Sequence, residues 1–179
     1  MNEHDELVAI QRCLAGDSRG FNEVAKKYLK PIYNLALRMV QDSDLAADIV
    51  QSTFIKAFER LHTFDQKQRF FSWLYRIAIH ESINALERNK STVSYSEEPV
   101  SKEPSPSDNL LHRERDEAIQ SALMKLPADQ RAVVVLRHFM DFSYGDLAEM
   151  LLIPEKTVKS RLFSARERLK ELLHTNRFL

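Results

Sequence analysis

Glycine is nearly absent: three residues in 179. That scarcity excludes glycine-rich phosphate loops, dinucleotide-binding turns and turn-dense β structure, which all need backbone freedom that glycine supplies. Cysteine is rarer still. Cys13 stands alone, so neither an internal disulfide nor a cysteine-based zinc site is available. Net charge is missing too, with 26 basic and 26 acidic residues, so the chain as a whole is no polyanion sponge. No apolar run approaches membrane-spanning length, and the first residues are polar and acidic, without the basic-then-apolar pattern of an export signal. A cytoplasmic protein of one domain or two small ones is expected, with no membrane insertion.

Charge is balanced but segregated. From Glu155 to Leu179 there are seven Lys/Arg against three Asp/Glu, and from Ser96 to Glu117 three against seven. Apolar residues recur at helical spacing almost throughout. Leu7, Ile10 and Leu14 mark a short helix ended by Gly16-Asp17. Phe21, Val24, Ala25, Tyr28, Ile32, Leu35, Ala36 and Met39 mark a longer one, which Pro31 is expected to kink. Asp44 is placed to cap a third helix with Ile49, Thr53, Phe54, Ala57, Phe58 and Leu61 inward. Its outer face carries Asp48, Gln51, Ser52, Lys56 and Glu59. After a polar loop at 64–68, Phe70, Trp73, Leu74, Ile77 and Ala78 form the inner face of another helix.

Between Ser91 and about Asp108 the composition turns to Ser, Pro and Glu with almost nothing to bury, which predicts a flexible acidic linker. Helical patterning resumes at Leu110, continuing through Ile119, Leu123 and Leu126. Pro127 suits the first turn of a further helix, with Val133, Leu136, Arg137 and Met140 on one face. Ser143-Tyr144-Gly145-Asp146 reads as a capping box opening a short helix, and Leu152-Ile153-Pro154 turns the chain into a basic one. No segment alternates as a strand would. The fold class expected is all-α, as two small helical domains: residues 1–92, a linker at 93–109, and residues 110–179.

The last two helices make a helix-turn-helix. On the final helix, Val158, Leu162, Ala165, Leu169 and Leu172 share one stripe. Lys156, Ser160, Phe163 and Glu167 lie opposite, with Lys159 and Arg166 on one shoulder and Arg161, Ser164 and Arg168 on the other. Cations there can neutralise phosphates, while short polar and aromatic groups can reach base edges in a major groove. Phe70, Phe71, Trp73 and Tyr75, beside Lys67, Arg69 and Arg76, admit two readings: a bundle core, or a platform on which unpaired bases stack. Catalysis finds no support. His80-Glu81-Ser82-Ile83-Asn84 has asparagine where a zinc helix needs its second histidine, and no glycine-flanked serine elbow exists. No cofactor, metal, catalytic residue or small-molecule substrate is expected.

Two stretches carry a specific resemblance. Asp48-Ile49-Val50-Gln51-Ser52-Thr53-Phe54-Ile55-Lys56-Ala57-Phe58, followed by Phe71-Ser72-Trp73-Leu74-Tyr75-Arg76-Ile77-Ala78, resembles region 2 of bacterial extracytoplasmic-function (ECF) sigma factors of the sigma-E-like kind. Leu126-Pro127-Ala128-Asp129-Gln130-Arg131, Val135-Leu136-Arg137, Ser143-Tyr144 and Pro154 through Arg161 resemble their region 4. The resemblance runs nearly end to end, and it implies an alternative sigma factor. Such a chain is not an enzyme. It lends promoter recognition to core RNA polymerase, contacting the beta and beta-prime subunits, and an anti-sigma factor restrains it. By the same resemblance, Asp48, Gln51, Ser52 and Lys56 meet the clamp coiled coil of the largest catalytic subunit. Phe64, Asp65, Lys67, Arg69, Phe70, Trp73, Arg76, His80 and Asn84 meet the −10 element, where a base is flipped from the non-template strand. Lys156, Thr157, Lys159, Ser160, Arg161, Phe163, Ser164 and Arg166 read the −35 element. Relatives often carry glycine in the turn and near the start of the reading helix, and a basic residue at the later position; here Leu152, Lys156 and Ser164 stand there. The other reading of the residues is a stand-alone helix-turn-helix regulator that binds duplex DNA without polymerase.

Overall fold

A computed structural model describes residues 2–92 and 110–175, and all regular structure among them is helical. The predicted linker at 93–109 lies outside the described residues. The order is α1 (Glu3–Leu14), α2 (Arg19–Val40), α3 (Ser43–Glu59), a short 3-10 turn (Leu61–Thr63) and α4 (Phe70–Thr92). After the gap come α5 (Leu110–Met124), α6 (Ala128–Val134), a π-turn (Val135–Phe139), α7 (Tyr144–Leu151) and α8 (Glu155–Thr175).

The amino-terminal bundle is built on α2, which packs against α1, α3 and α4. Its expected stripe is buried: Val24, Ile32, Leu35, Ala36 and Met39 are fully enclosed, and Phe21 and Tyr28 nearly so. The helix runs through Pro31 without a break. Gly20 marks the closest approach of α1, since a Cβ there would collide with the Ala9 carbonyl. Beside that crossing, Glu6 is buried. Its carboxylate accepts hydrogen bonds from Lys27 Nζ and, at 2.9 Å, from the Tyr28 hydroxyl, which offsets the cost of removing a charge from water.

Several local expectations change. The cap of α3 is Asp42, not Asp44: its Oδ1 accepts from the amides of Asp44 (2.9 Å) and Leu45 (2.8 Å), while Asp44 sits in the first turn. Pro127 is the residue before α6 rather than its first turn. Leu14 and Phe58 were expected inward but are 43% and 49% exposed. Leu14 is the last residue of α1, and Phe58 lies at the edge of the α3 stripe, where packing on one flank satisfies the ring. Phe58 does this edge-on against Phe21, with ring centroids 5.2 Å apart.

In the carboxy-terminal module, α8 packs on α5, α6 and α7, and Leu123, Leu136, Leu147, Met150 and Leu162 form its centre. Arg131 crosses that core at 5% exposure. Its guanidinium donates to the carbonyls of Leu123 (2.9 Å), Met124 (2.8 Å) and Leu126 (3.2 Å), and also to that of Met39 at the end of α2. A fixed fork of donors suits this cluster of carbonyls at and just beyond helix ends, where the regular ladder of amide donors stops.

The modules are not held apart. One apolar cluster runs through both, α4 packs on α6 and α7, and α2 packs on α5, α6 and the π-turn. Arg38 and Gln120 exchange two hydrogen bonds of 3.1 Å across this boundary.

Candidate nucleic-acid interface

The turn before α8 is fixed by local chemistry. Ser143 Oγ accepts from the Asp146 amide at 3.2 Å, and Asp146 Oδ2 accepts from the Ser143 amide at 2.9 Å, the capping box expected from the sequence. At the other end of α7, Leu152 takes a left-handed conformation (φ 52°) and its amide donates to the Ala148 carbonyl. The Pro154 carbonyl then accepts from Thr157 and Val158 at 2.8 and 3.1 Å, setting the start of α8.

Val158, Leu162 and Ala165 are buried against the module, with Leu169 and Leu172 half-buried behind them. This orients the rest of the helix. Lys156, Lys159, Ser160, Phe163, Ser164 and Arg166 are exposed, and Thr157 and Arg161 are half-buried at the flanks. Phe163 is 69% exposed, a large ring with no core to fill. The cations are partly tethered. Lys159 Nζ is 2.8 Å from Glu155 and lies over the Tyr144 ring at 5.7 Å; Arg161 Nε is 3.5 Å from Asp129. Arg166 Nη2 approaches His138 Nε2 at 3.2 Å. Burial, and then the charges of Arg166 and Arg137, push the His138 pKa below its ordinary value, which favours a neutral ring able to accept from Arg166. These tethers hold positive charge along one face without burying it.

The expected −10 residues fall into three groups. Asp65, Lys67 and His80 are exposed and Asn84 half-buried, with Asn84 Nδ2 3.0 Å from His80 Nδ1. Asp65 Oδ1 accepts from the Lys67 amide (3.0 Å) and its carbonyl from the Gln68 amide (2.9 Å), so the loop is a shaped turn. Phe64, Phe70 and Trp73 are buried (6%, 3% and 9% exposed), with ring centroids 5.3–5.5 Å apart. Of the two readings open for this aromatic group, the core reading describes these three rings, which here offer no face for a stacked base. Arg69 and Arg76 form the third group and engage α7: Arg69 Nη2 lies 2.6 Å from both Asp146 and Glu149, and Arg76 donates to the carbonyls of Glu149 (2.9 Å) and Met150 (3.3 Å).

On the opposite side of the bundle, a shallow groove between α3 and α4 is lined by Leu45, Asp48, Gln51, Ser52, Glu81 and Arg88. Asp48 and Gln51 are exposed and Ser52 half-buried. Lys56 is half-buried, its Nζ 2.6 Å from the buried Glu81. Further along α3 the sequence reading missed Ile55 and Phe58 as surface groups, both about half exposed. Ile55 alone, outside the inner stripe yet apolar, gave the signal.

Comparison with known proteins places this geometry in a family. Residues 24–92 match Sigma-70 region 2 and residues 116–169 match Sigma-70, region 4. The chain is 32% identical to the RNA polymerase sigma-H factor of Pseudomonas aeruginosa, covering 97% of this chain and 96% of that one. It is 31% identical to the ECF RNA polymerase sigma factor SigW of Bacillus subtilis, covering 92% and 94%. Among solved structures, CnrH, determined with the cytosolic domain of CnrY, superposes at a TM-score of 0.72 with 23% identity over 96% of this chain and 98% of that one. The sigma factor RpoE of Bartonella quintana, solved with the anti-sigma factor NepR, superposes at 0.68 with 28% identity over 86% and 96%. A two-module helical chain bearing regions 2 and 4 is a sigma factor. It belongs to the ECF sigma factors and, like them, is a non-enzymatic initiation factor.

Proposed function

We propose that this chain acts in the cytoplasm as an alternative sigma factor whose two modules, residues 1–92 and 110–179, grip a promoter at two points while the first docks on core RNA polymerase. The outer face of α8 carries the reading. An apolar stripe locks the helix by Val158, Leu162 and Ala165, and the exposed Lys156, Ser160, Phe163 and Ser164 are left for −35 base edges, with Lys159, Arg161 and Arg166 at phosphates. At the −10 element, the turn at Asp65 and Lys67, Arg69 just before α4, and the α4 residues Arg76, His80 and Asn84 supply the polar contacts. Phe64, Phe70 and Trp73 act from beneath as the rigid floor of the loop. No bond is made or broken. Strand separation is driven by binding energy, with unstacking offset by capture of a flipped base.

The α3–α4 groove supplies polymerase docking through Asp48, Gln51 and Ser52, with Ile55 and Phe58 adding apolar area. Lys56 contributes there mainly by holding Glu81. An anti-sigma protein restrains the chain; the relative solved with NepR supports that assignment. The test is run-off transcription with the purified chain, core polymerase and candidate promoters. Specific, polymerase-dependent transcripts are expected. DNA binding with no polymerase-dependent initiation would instead indicate the stand-alone regulator.

A further inference from the structure

We infer that His138 positions Arg166 for the −35 backbone in the free chain and becomes a backbone contact itself on binding, taking up a proton, so that −35 affinity rises as pH falls. This rests on the reading of Arg166 as a phosphate contact. Residues 135–139 wind as a π-turn, closed by the Met140 amide donating to the Val135 carbonyl at 3.2 Å. Widened turns of this kind are rare and recur at functional sites. This one runs beside the shoulder of α8 that carries Lys159 and, two helical turns further on, Arg166. At one end of it, Arg137 and Lys159 share the Tyr144 ring, at 5.4 and 5.7 Å from the centroid. At the other, Arg166 Nη2 and Nε lie 3.2 and 3.4 Å from His138 Nε2. Both members of that pair are exposed, on the side of the module that the outer face of α8 presents.

The pairing dictates the protonation. A guanidinium can only donate, so the Nε2 that faces it is bare and the ring neutral, with its hydrogen on Nδ1. Burial, Arg166 and Arg137 all act against a charged ring. No carboxylate of the surrounding elements offsets them. Asp141 lies 3.5 Å from Arg137, Asp129 of α6 faces Arg161, and Asp146 and Glu149 of α7 face Arg69. Asp116 and Glu117 of α5 line a groove with Phe139 and Met140 rather than with His138. Of the remaining cations, Arg38 of α2 lies over Phe139 and Arg131 of α6 is buried on carbonyls. A phosphate reverses the balance. It offers Arg166 charge and paired oxygens, and drawing the guanidinium over strips Nε2 of its donor. The same phosphate favours a charged imidazole beside it. A proton from water then settles on Nε2, and the ring donates to the phosphate where it had accepted from Arg166. The bound ring holds more proton than the free one, so binding consumes protons and tightens as pH falls.

The experiment titrates the full chain with a duplex carrying the −35 element of a promoter from which it initiates in run-off transcription. Fluorescence anisotropy reads affinity between about pH 7.5 and pH 6, where histidine changes charge. Wild type should bind about three- to sixfold tighter at the acid end, within the ceiling of about tenfold per pH unit that one proton sets. His138→Gln keeps an oxygen that can accept from Arg166 but takes up no proton, so it should lose that gain. His174→Gln, exposed near the end of α8, should keep it. An NMR titration of the His138 ring, free and in the complex, should show its midpoint moving up on DNA. Equal pH slopes in wild type and His138→Gln, or a midpoint that DNA leaves in place, would overturn the inference. Arg166→Ala separates it from the reading beneath. Unchanged duplex binding by Arg166→Ala removes the phosphate role of Arg166 and this proposal with it. Weakened binding, with equal slopes in wild type and His138→Gln, removes the proton uptake alone.

Discussion

Replacing Arg131 should be among the most damaging single changes available to the chain. The residue is 5% exposed and its guanidinium serves four carbonyls: two at the end of α5, that of Leu126 just beyond it, and one at the end of α2. Burial pushes its pKa down, and no carboxylate pairs with it among the described residues. The side chain holds its charge there on hydrogen bonds alone. Each bond to a charged donor is worth about 1.5–3 kcal/mol, so four give roughly 6–12 kcal/mol gross. Dehydrating the guanidinium returns several kcal/mol of that. The net expectation for Arg131→Met is a loss of about 3–5 kcal/mol, because methionine fills the volume but takes the side-chain donor from four carbonyls, of which only that of Leu123 keeps a backbone partner, the Leu126 amide at 3.0 Å. At about 2–4 °C per kcal/mol for a chain of this size, Tm should fall by roughly 6–20 °C. Arg131→Lys should recover less than half, since an ammonium reaches one or two of the four acceptors and lacks the planar fork. Circular dichroism melts of the full-length variants provide the measurement. A methionine variant within about 1 kcal/mol of wild type would refute the reasoning, and a lysine variant as stable as arginine would refute its geometric part.

Four further changes discriminate among the roles assigned above. Gly20→Ala places a Cβ against the Ala9 carbonyl and should cost about 2 kcal/mol, lowering Tm by roughly 4–8 °C; an unchanged melt would mean that α1 is free to shift. Leu152→Gly relieves a left-handed conformation at a site 69% exposed. It should raise stability by about 0.5 kcal/mol after the added freedom of the unfolded chain is counted, and a lowered Tm would show that Leu152 packs more than its exposure suggests. Phe163→Ala should leave stability within about 0.5 kcal/mol of wild type while weakening −35 duplex binding about fivefold or more in gel-shift titration; a large drop in Tm would assign the ring to packing. Asp48→Arg, exposed beside the α3–α4 groove, should weaken core polymerase about tenfold in competition with another sigma factor, and unaltered co-purification would clear that face of docking.

What the sequence made legible was local periodicity. The stripe Val158, Leu162, Ala165 and the α2 stripe from Phe21 to Met39 are spaced at the helical repeat, and burial follows that repeat. The capping box at Ser143 was equally readable, because its partners are three residues apart. Errors came at the edges of stripes and at caps. Phe58 is one residue from the buried Ala57, so a small rotation of α3 about its axis decides whether the ring turns inward. Asp42 and Asp44 are chemically identical candidates, and only the extended backbone at Asp42 (φ −135°, ψ 124°) lets its side chain turn back onto the first amides.

Contacts between the modules were illegible for a different reason. Arg69 and Glu149 are 80 positions apart, and no local pattern couples them. Neither residue looks wrong in its own segment, since an exposed arginine and an exposed glutamate are ordinary on helices. Chemistry adds a deeper ambiguity. A carboxylate and a phosphate ask the same thing of a guanidinium, namely two parallel donors and a positive charge. An arginine suited to DNA is therefore equally suited to an internal acidic partner, and the sequence presents both uses with identical letters. Arg69, which its own segment offers as a −10 contact, is met here by Asp146 and Glu149 of α7.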